Sequence, residues 1–283
     1  MATRYASFGT GIRRSPKTSI LQPWYRRSRV GYIGTVPNQI NATYAATAHA
    51  KGAWAQIVAS TAENVSLVIL SAQVSAAATD TSTLIDIGVG AAGAETVVVP
   101  DVAIGGWNTH QVAIPLAIAS GTRVAIRVQG TRTSPAAATI VLHLLSSDEF
   151  QATPTSVDII GVNTGTSAGT AMSGASASWV QMTPATAKDY QAVLILPSTS
   201  STDTAAIAVL YELGIGASGS ETVLGAQAAS YNTAEAIAPA GARTAFMPPV
   251  GGPIPAGSRL AIRHSIATNP DRYNVCLIGI PYV

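Results

Sequence analysis

Hydrophobic and polar residues alternate along much of this chain with a period of two. In TRVAIRV, Arg123, Ala125 and Arg127 alternate with Val124, Ile126 and Val128, the pattern of a strand with one buried face. RLAIRH, from Arg259, keeps the same alternation. Runs such as VSLVILSAQV, STLIDIGVG, ETVVVP, HQVAIPLAI and ATIVLHLL are short and rich in Val and Ile. Gly, Pro, Ser and Asn punctuate them roughly every ten residues, the cadence of sandwiches and jelly rolls. No window carries a sustained helical stripe with caps, and Gly and Pro break the Ala-rich stretch 225–242. The pattern predicts an all-β fold.

The pattern also repeats. Trp54 in AKGAWAQIV matches Trp179 in ASASWVQMT, DIGVGAAGAETV from Asp86 matches ELGIGASGSETV from Glu212, and SGTRVAIRV from Ser120 matches AGSRLAIRH from Ala256. Upstream, YIGTVPN from Tyr32 resembles IIGVNTG from Ile159. The offset changes gradually, as when loops gain residues between matched strands, so the chain reads as two copies of one domain. The expected organisation is an extended arm over 1–31, a first antiparallel β-sandwich over 32–147, a linker over 148–156 and a second, jelly-roll-like sandwich over 157–283. Trp54 and Trp179 are read as anchors of the two cores.

Composition sharpens this. Apolar residues make up 47% of the 283 positions, enough for a sizeable core, while charged residues are only 11%, against about a quarter in typical domains. Such a surface suits coverage by neighbouring subunits. Charge is unevenly placed: residues 1–62 hold eight Lys and Arg and no acid, and residues 63–283 hold eight bases and fourteen acids. The single cysteine, Cys276 in NVCLIGI, excludes a disulfide framework within the chain and reads as a small buried hydrophobe. Arginines and prolines interrupt the first residues where a secretory apolar core would lie, and the uncharged Ser/Thr/Gly-rich window 159–187 is too polar to cross a bilayer.

Two stretches invite a chemical reading. GVGAAG (88–93) and GIGASG (214–219) both fit G-x-G-x-x-G, the dinucleotide fingerprint. That fingerprint needs a helix after the last glycine, yet Gly93 is followed by AETVVVP, a β-branched run ending in proline. The motif is read as a turn. Asp86 and Glu95, matched by Glu212 and Glu221, could flank a glycosidic bond, or could cap turns and pair with Arg123, Arg127, Arg259 and Arg263. His49, His110, His143 and His264 have no metal-ligand spacing, and Asp80 and Asp203 read as turn residues. No catalytic residue, cofactor or metal is assigned. Trp107, in the unmatched loop IGGWNTH, is the candidate ligand-contact residue.

The leading segment carries Arg4, Arg13, Arg14, Lys17, Arg26, Arg27 and Arg29 with Trp24 and Tyr25 interleaved. Nucleic acid could use these residues, but the body is acidic and no nucleic-acid module is recognisable. The segment is read as a protein-docking arm, with Arg13, Arg14, Trp24, Tyr25, Arg26, Arg27 and Arg29 as its contact residues.

The paired DIGVGAAGAETVVVP and ELGIGASGSETV runs, the IPAGSRLAIR strand entry and the preceding arm together resemble the structural proteins of tailed bacteriophage particles. The resemblance covers most of the chain in texture and transfers no functional residue. It implies a non-enzymatic part of a symmetric particle, of the head decoration, head-fibre, collar or tail accessory type. Its partners would be capsid, neck or tail proteins and further copies of itself, and its location the virion after assembly in the host cytoplasm. Two other readings stay open: recognition of a host-surface glycan through loops such as that of Trp107, and a glycan-degrading enzyme using the matched acids.

Overall fold

The computed structural model describes residues 39–74, 82–105, 110–131, 137–146, 153–172, 177–199, 207–231, 253–265 and 273–283. The docking-arm residues, Trp107, Asp80 and Asp203 lie outside the described residues. Every described element is a strand, and every pairing is antiparallel.

The first repeat runs β1 (Gln39–Thr43), β2 (Ala55–Val58), β3 (Val65–Val74), β4 (Ser82–Val89), β5 (Thr96–Gly105), β6 (His110–Ile118), β7 (Val124–Gly130) and β8 (Ala137–Leu145). These form two four-stranded sheets, ordered β1-β8-β3-β6 and β2-β7-β4-β5. Eight strands dealt alternately between two facing sheets in that order make a jelly roll. The second repeat contains β9 (Asp158–Ile160), β10 (Val162–Asn163), β11 (Ala168–Ala171), β12 (Val180–Thr183), β13 (Tyr190–Thr199), β14 (Ile207–Ile215), β15 (Thr222–Tyr231), β16 (Leu260–His264) and β17 (Tyr273–Pro281). Its β12-β16-β14-β15 sheet repeats the order of β2-β7-β4-β5, and β11-β17-β13 repeats β1-β8-β3. The protein is therefore a tandem of antiparallel β-sandwiches, as the repeat predicts.

Burial along individual strands shows how the sheets stack. On β8 every second residue is buried, and on β14 Val209, Tyr211 and Leu213 are buried while Leu210 and Glu212 are not. These strands belong to sheets with one packed face. By contrast, β4 is buried continuously from Ser82 to Gly88 and β17 from Tyr273 to Pro281. Their sheets are packed on both faces, so the order of layers is β1-β8-β3-β6, then β2-β7-β4-β5, then β11-β17-β13, then β12-β16-β14-β15. Ala192, Leu194 and Leu196 of β13 and Cys276, Ile278 and Ile280 of β17 join the apolar cluster that also fills the first sandwich. The second sandwich keeps its own interior, built around Tyr190, Tyr211, Tyr273, Val193, Ile195 and Leu277.

Polar bonds tie the two sandwiches at the margin of this aliphatic joint. The Val157 N–H donates to the Val98 carbonyl at 3.0 Å and the Ala117 N–H to the Pro154 carbonyl at 2.8 Å. His49 and Gln129 both reach the Ser167 hydroxyl, and the Gln129 amide also donates to the Thr164 carbonyl. Cys276 lies inside the joint with no solvent exposure. Burial pushes its thiol up to about 12, against the opposing pull of a backbone hydrogen bond from Ala103. Cys276 should therefore be silent to a thiol-specific disulfide reagent in native protein at pH 8 and titrate fully in denaturant. Reaction without denaturant would mean that the two sandwiches separate in solution.

Candidate functional site

The two G-x-G-x-x-G stretches are the β4–β5 and β14–β15 turns. Gly90 and Gly93 adopt φ of 112° and 82°, and Gly216 and Gly219 adopt 123° and 81°, a region where side chains are strained. The Ala94 N–H closes the first turn on the Ala91 carbonyl and the Ser220 N–H closes the second on the Ala217 carbonyl, both at 3.0 Å. A strand follows each turn where a dinucleotide site would need a helix.

One arginine clamps each turn. Arg123 Nη1 donates to Glu95 at 2.7 Å and to the Gly90 carbonyl at 3.3 Å, while its Nε donates to Gln56 at 2.9 Å. Arg259 repeats all three bonds, to Glu221 at 2.7 Å, the Gly216 carbonyl at 3.1 Å and Gln181 at 2.9 Å. The second carboxylate oxygen of Glu95 accepts the Gly93 N–H, and that of Glu221 accepts the Gly219 N–H. Burial pushes both carboxyls up. The arginine hydrogen bond, backbone N–H groups and arginine charge together outweigh it, holding each below the ordinary 4.5.

Beside each clamp sits a tryptophan. Trp54 lies against Gly88 so closely that an added Cβ would stand 2.6 Å from the ring, and Trp179 lies against Gly214 at the same 2.6 Å. Over the rings stand the Arg127 and Arg263 guanidinium groups, 4.5 and 4.8 Å from the ring centroids. Both tryptophans are half-buried on the outward faces of their sheets, not in the cores. This corrects the reading of them as core anchors: strand glycines leave flat recesses that the rings occupy from outside, and the cation–π contact covers them there.

The second arginine of each TRVAIRV-type strand pairs with the remaining matched acid. Arg127 Nε donates to Asp86 at 2.7 Å, and Arg263 Nε donates to Glu212, which raises the arginine's already high pKa through that hydrogen bond. The first repeat adds a component the second lacks: Lys51 bridges Asp86 and Asp101, and the Asp101 N–H donates to Asp86 at 2.8 Å. Asp86 retains only 2% side-chain exposure, whereas Glu212 retains 26%.

The sequence-level alternative of pairing with Arg123, Arg127, Arg259 and Arg263 is thus what these four acids do. Gln56 and Gln181 were missed, although each stands two residues after a matched tryptophan. His49 and Ser167 carried no such signal, since they belong to the joint rather than to the repeat, and Lys51 carried none because the matched position in the second copy is not a lysine. Among the described residues no cluster of His, Cys, Asp and Glu could hold a metal ion, and no helix is long and apolar enough to cross a membrane. A surface groove of about 740 Å³ beside β3 and β6 holds a single titratable side chain, Glu63, which accepts the Ser146 hydroxyl at 2.7 Å.

No protein-family profile matches this chain, and no curated protein is matched by its sequence. Among solved structures, the N-terminal CBM22-1–CBM22-2 tandem domain of Paenibacillus barcinonensis Xyn10C is similar over 90% of this chain and 95% of its own, at 10% identity and a TM-score of 0.20. So loose an overlap carries no inference about ligands.

Proposed function

We propose that this chain is a non-enzymatic structural component of a bacteriophage particle, held to neighbouring capsid, neck or tail proteins by its leading arm and located in the virion after assembly in the host cytoplasm. The observation that carries the reading is the closure of the duplicated polar clusters on themselves. Each matched acid meets an arginine, two of them also meet turn N–H groups, and the product is a rigid turn. A general acid for glycoside hydrolysis needs a raised pKa, and Glu95 and Glu221 are held in the opposite direction. Jelly rolls serve both capsids and lectins, so the fold alone does not choose between them. The tryptophans of the repeat lie under guanidinium groups, which removes that ring face from sugar stacking. Recognition of glycan therefore rests on Trp107, outside the described residues.

Deleting residues 1–31 tests the proposal. The truncated chain should keep the thermal transition of the full chain, yet fail to co-sediment with particles assembled in its presence. Incorporation at the full-length level would remove the arm from the docking role. Full chain left wholly in the soluble fraction of a lysate would sink the virion reading itself.

A further inference from the structure

The four layers are not related as mirror images. The first sheet of repeat one corresponds to the first sheet of repeat two, and the second to the second, so the halves are stacked head to tail. The outer face of β2-β7-β4-β5 is covered by the outer face of β11-β17-β13. The equivalent of the covered face, on β12-β16-β14-β15, is covered by no other sheet among the described residues. The equivalent of the covering face, on β1-β8-β3-β6, ends the stack on the other side.

We propose that the outer face of β12-β16-β14-β15 docks the outer face of β1-β8-β3-β6 from a second copy of this chain, repeating between chains the contact that joins its own halves. This goes beyond docking by the arm and needs no particle.

Leu84 and Leu210 occupy matched positions. Leu84 has no exposure because the second sandwich covers it, whereas Leu210 is 44% exposed. Val223, opposite Gly214 on the same free face, is 41% exposed. Apart from the last two residues of the chain, these are the large hydrophobic side chains that stand exposed among the described residues. An exposed apolar patch at the position its own homologue uses as a joint points to the same kind of partner. Charge does not oppose the contact, because Glu212 and Glu221 are neutralised by Arg263 and Arg259.

The proposed partner face keeps the aliphatic character of the covering one. On β3, Leu67 stands opposite Leu145, Ile69 opposite His143 and Ser71 opposite Val141. The covering face has Ala192 opposite Ile280, Leu194 opposite Ile278 and Leu196 opposite Cys276. Ser71 and His143 replace leucine and isoleucine, so the contact between chains is weaker than the one within them and the subunits remain separable. A head-to-tail contact of this kind is heterologous and generates a ring or an open filament according to its rotation.

The full chain should show a weight-average mass by analytical ultracentrifugation that rises with concentration above that of one chain. Leu210→Glu and Val223→Glu on one face, and Ile69→Glu on the other, should each weaken association by roughly tenfold or more. Thermal unfolding of each variant separates this from misfolding, and either free-face variant suffices if the other unfolds. Each blocked chain retains the face the other lacks, so a mixture of Leu210→Glu and Ile69→Glu chains should recover pairs and stop there. A full chain that stays monomeric at every concentration overturns the proposal. So does a Leu210→Glu or Val223→Glu chain that assembles normally, or an Ile69→Glu chain that does, since the free face would then pair with itself. Failure of arm-dependent incorporation leaves these masses unchanged, so the two ideas fail separately.

Discussion

Leu84→Ala should lower the free energy of unfolding by about 2–5 kcal/mol, while Leu210→Ala, the same substitution at the matched position, should change it by about 0.5 kcal/mol or less. Both leucines project from the outer face of a β4-type strand. One is enclosed by a neighbouring sandwich and leaves a cavity when truncated; the other is 44% exposed and loses little contact. Urea titrations of the two variants at dilute concentration, where chains stand alone, make the comparison. Because the joint and the first core form one apolar cluster, Leu84→Ala should move the midpoint of a single transition, with the slope unchanged. Two separated transitions would mean that the sandwiches unfold independently and that the joint carries little energy. Equal losses at both positions would mean that Leu210 is already covered at the concentration used.

Much of this architecture was legible in the order of residues. Val124, Ile126 and Val128 alternate with Arg123, Ala125 and Arg127 because a strand turns successive side chains to opposite faces, and β7 buries the valine and isoleucine set. The expectation of one buried face fails on the other side, where the second sandwich covers the sheet and Ala125 and Gln129 are buried as well. The glycine motif could be assigned to a turn because AETVVVP cannot start a helix. Cys276, flanked by apolar residues, lies where that flanking predicts. What the pattern did not convey was which faces meet. The runs STLIDIGV on β4 and NVCLIGIP on β17 are buried on both sides, and continuous apolar runs are compatible with that reading. The same runs also fit an ordinary half-buried strand with a few exposed apolar residues, since surfaces carry many of these. Trp54 and Trp179 were misplaced for a related reason. A tryptophan among small residues suggests a core, yet its site depends on Gly88 or Gly214 two strands along and on an arginine of the neighbouring strand, relations that sequence proximity does not encode.

Asp86→Ala should be the most damaging removal of a single charge, lowering unfolding free energy by about 2–4 kcal/mol. The Asp86 carboxylate is 2% exposed and accepts from Lys51, Arg127 and the Asp101 N–H. Truncation strands Arg127 over Trp54 and leaves the Asp101 N–H without its acceptor, although Lys51 keeps Asp101. The two cations are 26% exposed, so water recovers part of the loss and the effect falls below that of a fully enclosed ion pair. Glu212→Ala removes the matched acid where no sandwich covers it, and its denaturation midpoint should stay near that of the parent chain. Salt separates the cases further: moderate ionic strength screens the exposed pair, while the deficit of Asp86→Ala should persist. The decisive variant is Asp86→Ala combined with Arg127→Met. If the deficit arises from a stranded cation, the double variant should be more stable than Asp86→Ala alone. If it is less stable, Arg127 contributes chiefly by covering Trp54, and the tryptophan–arginine stack rather than the ion pair holds that end of the sheet.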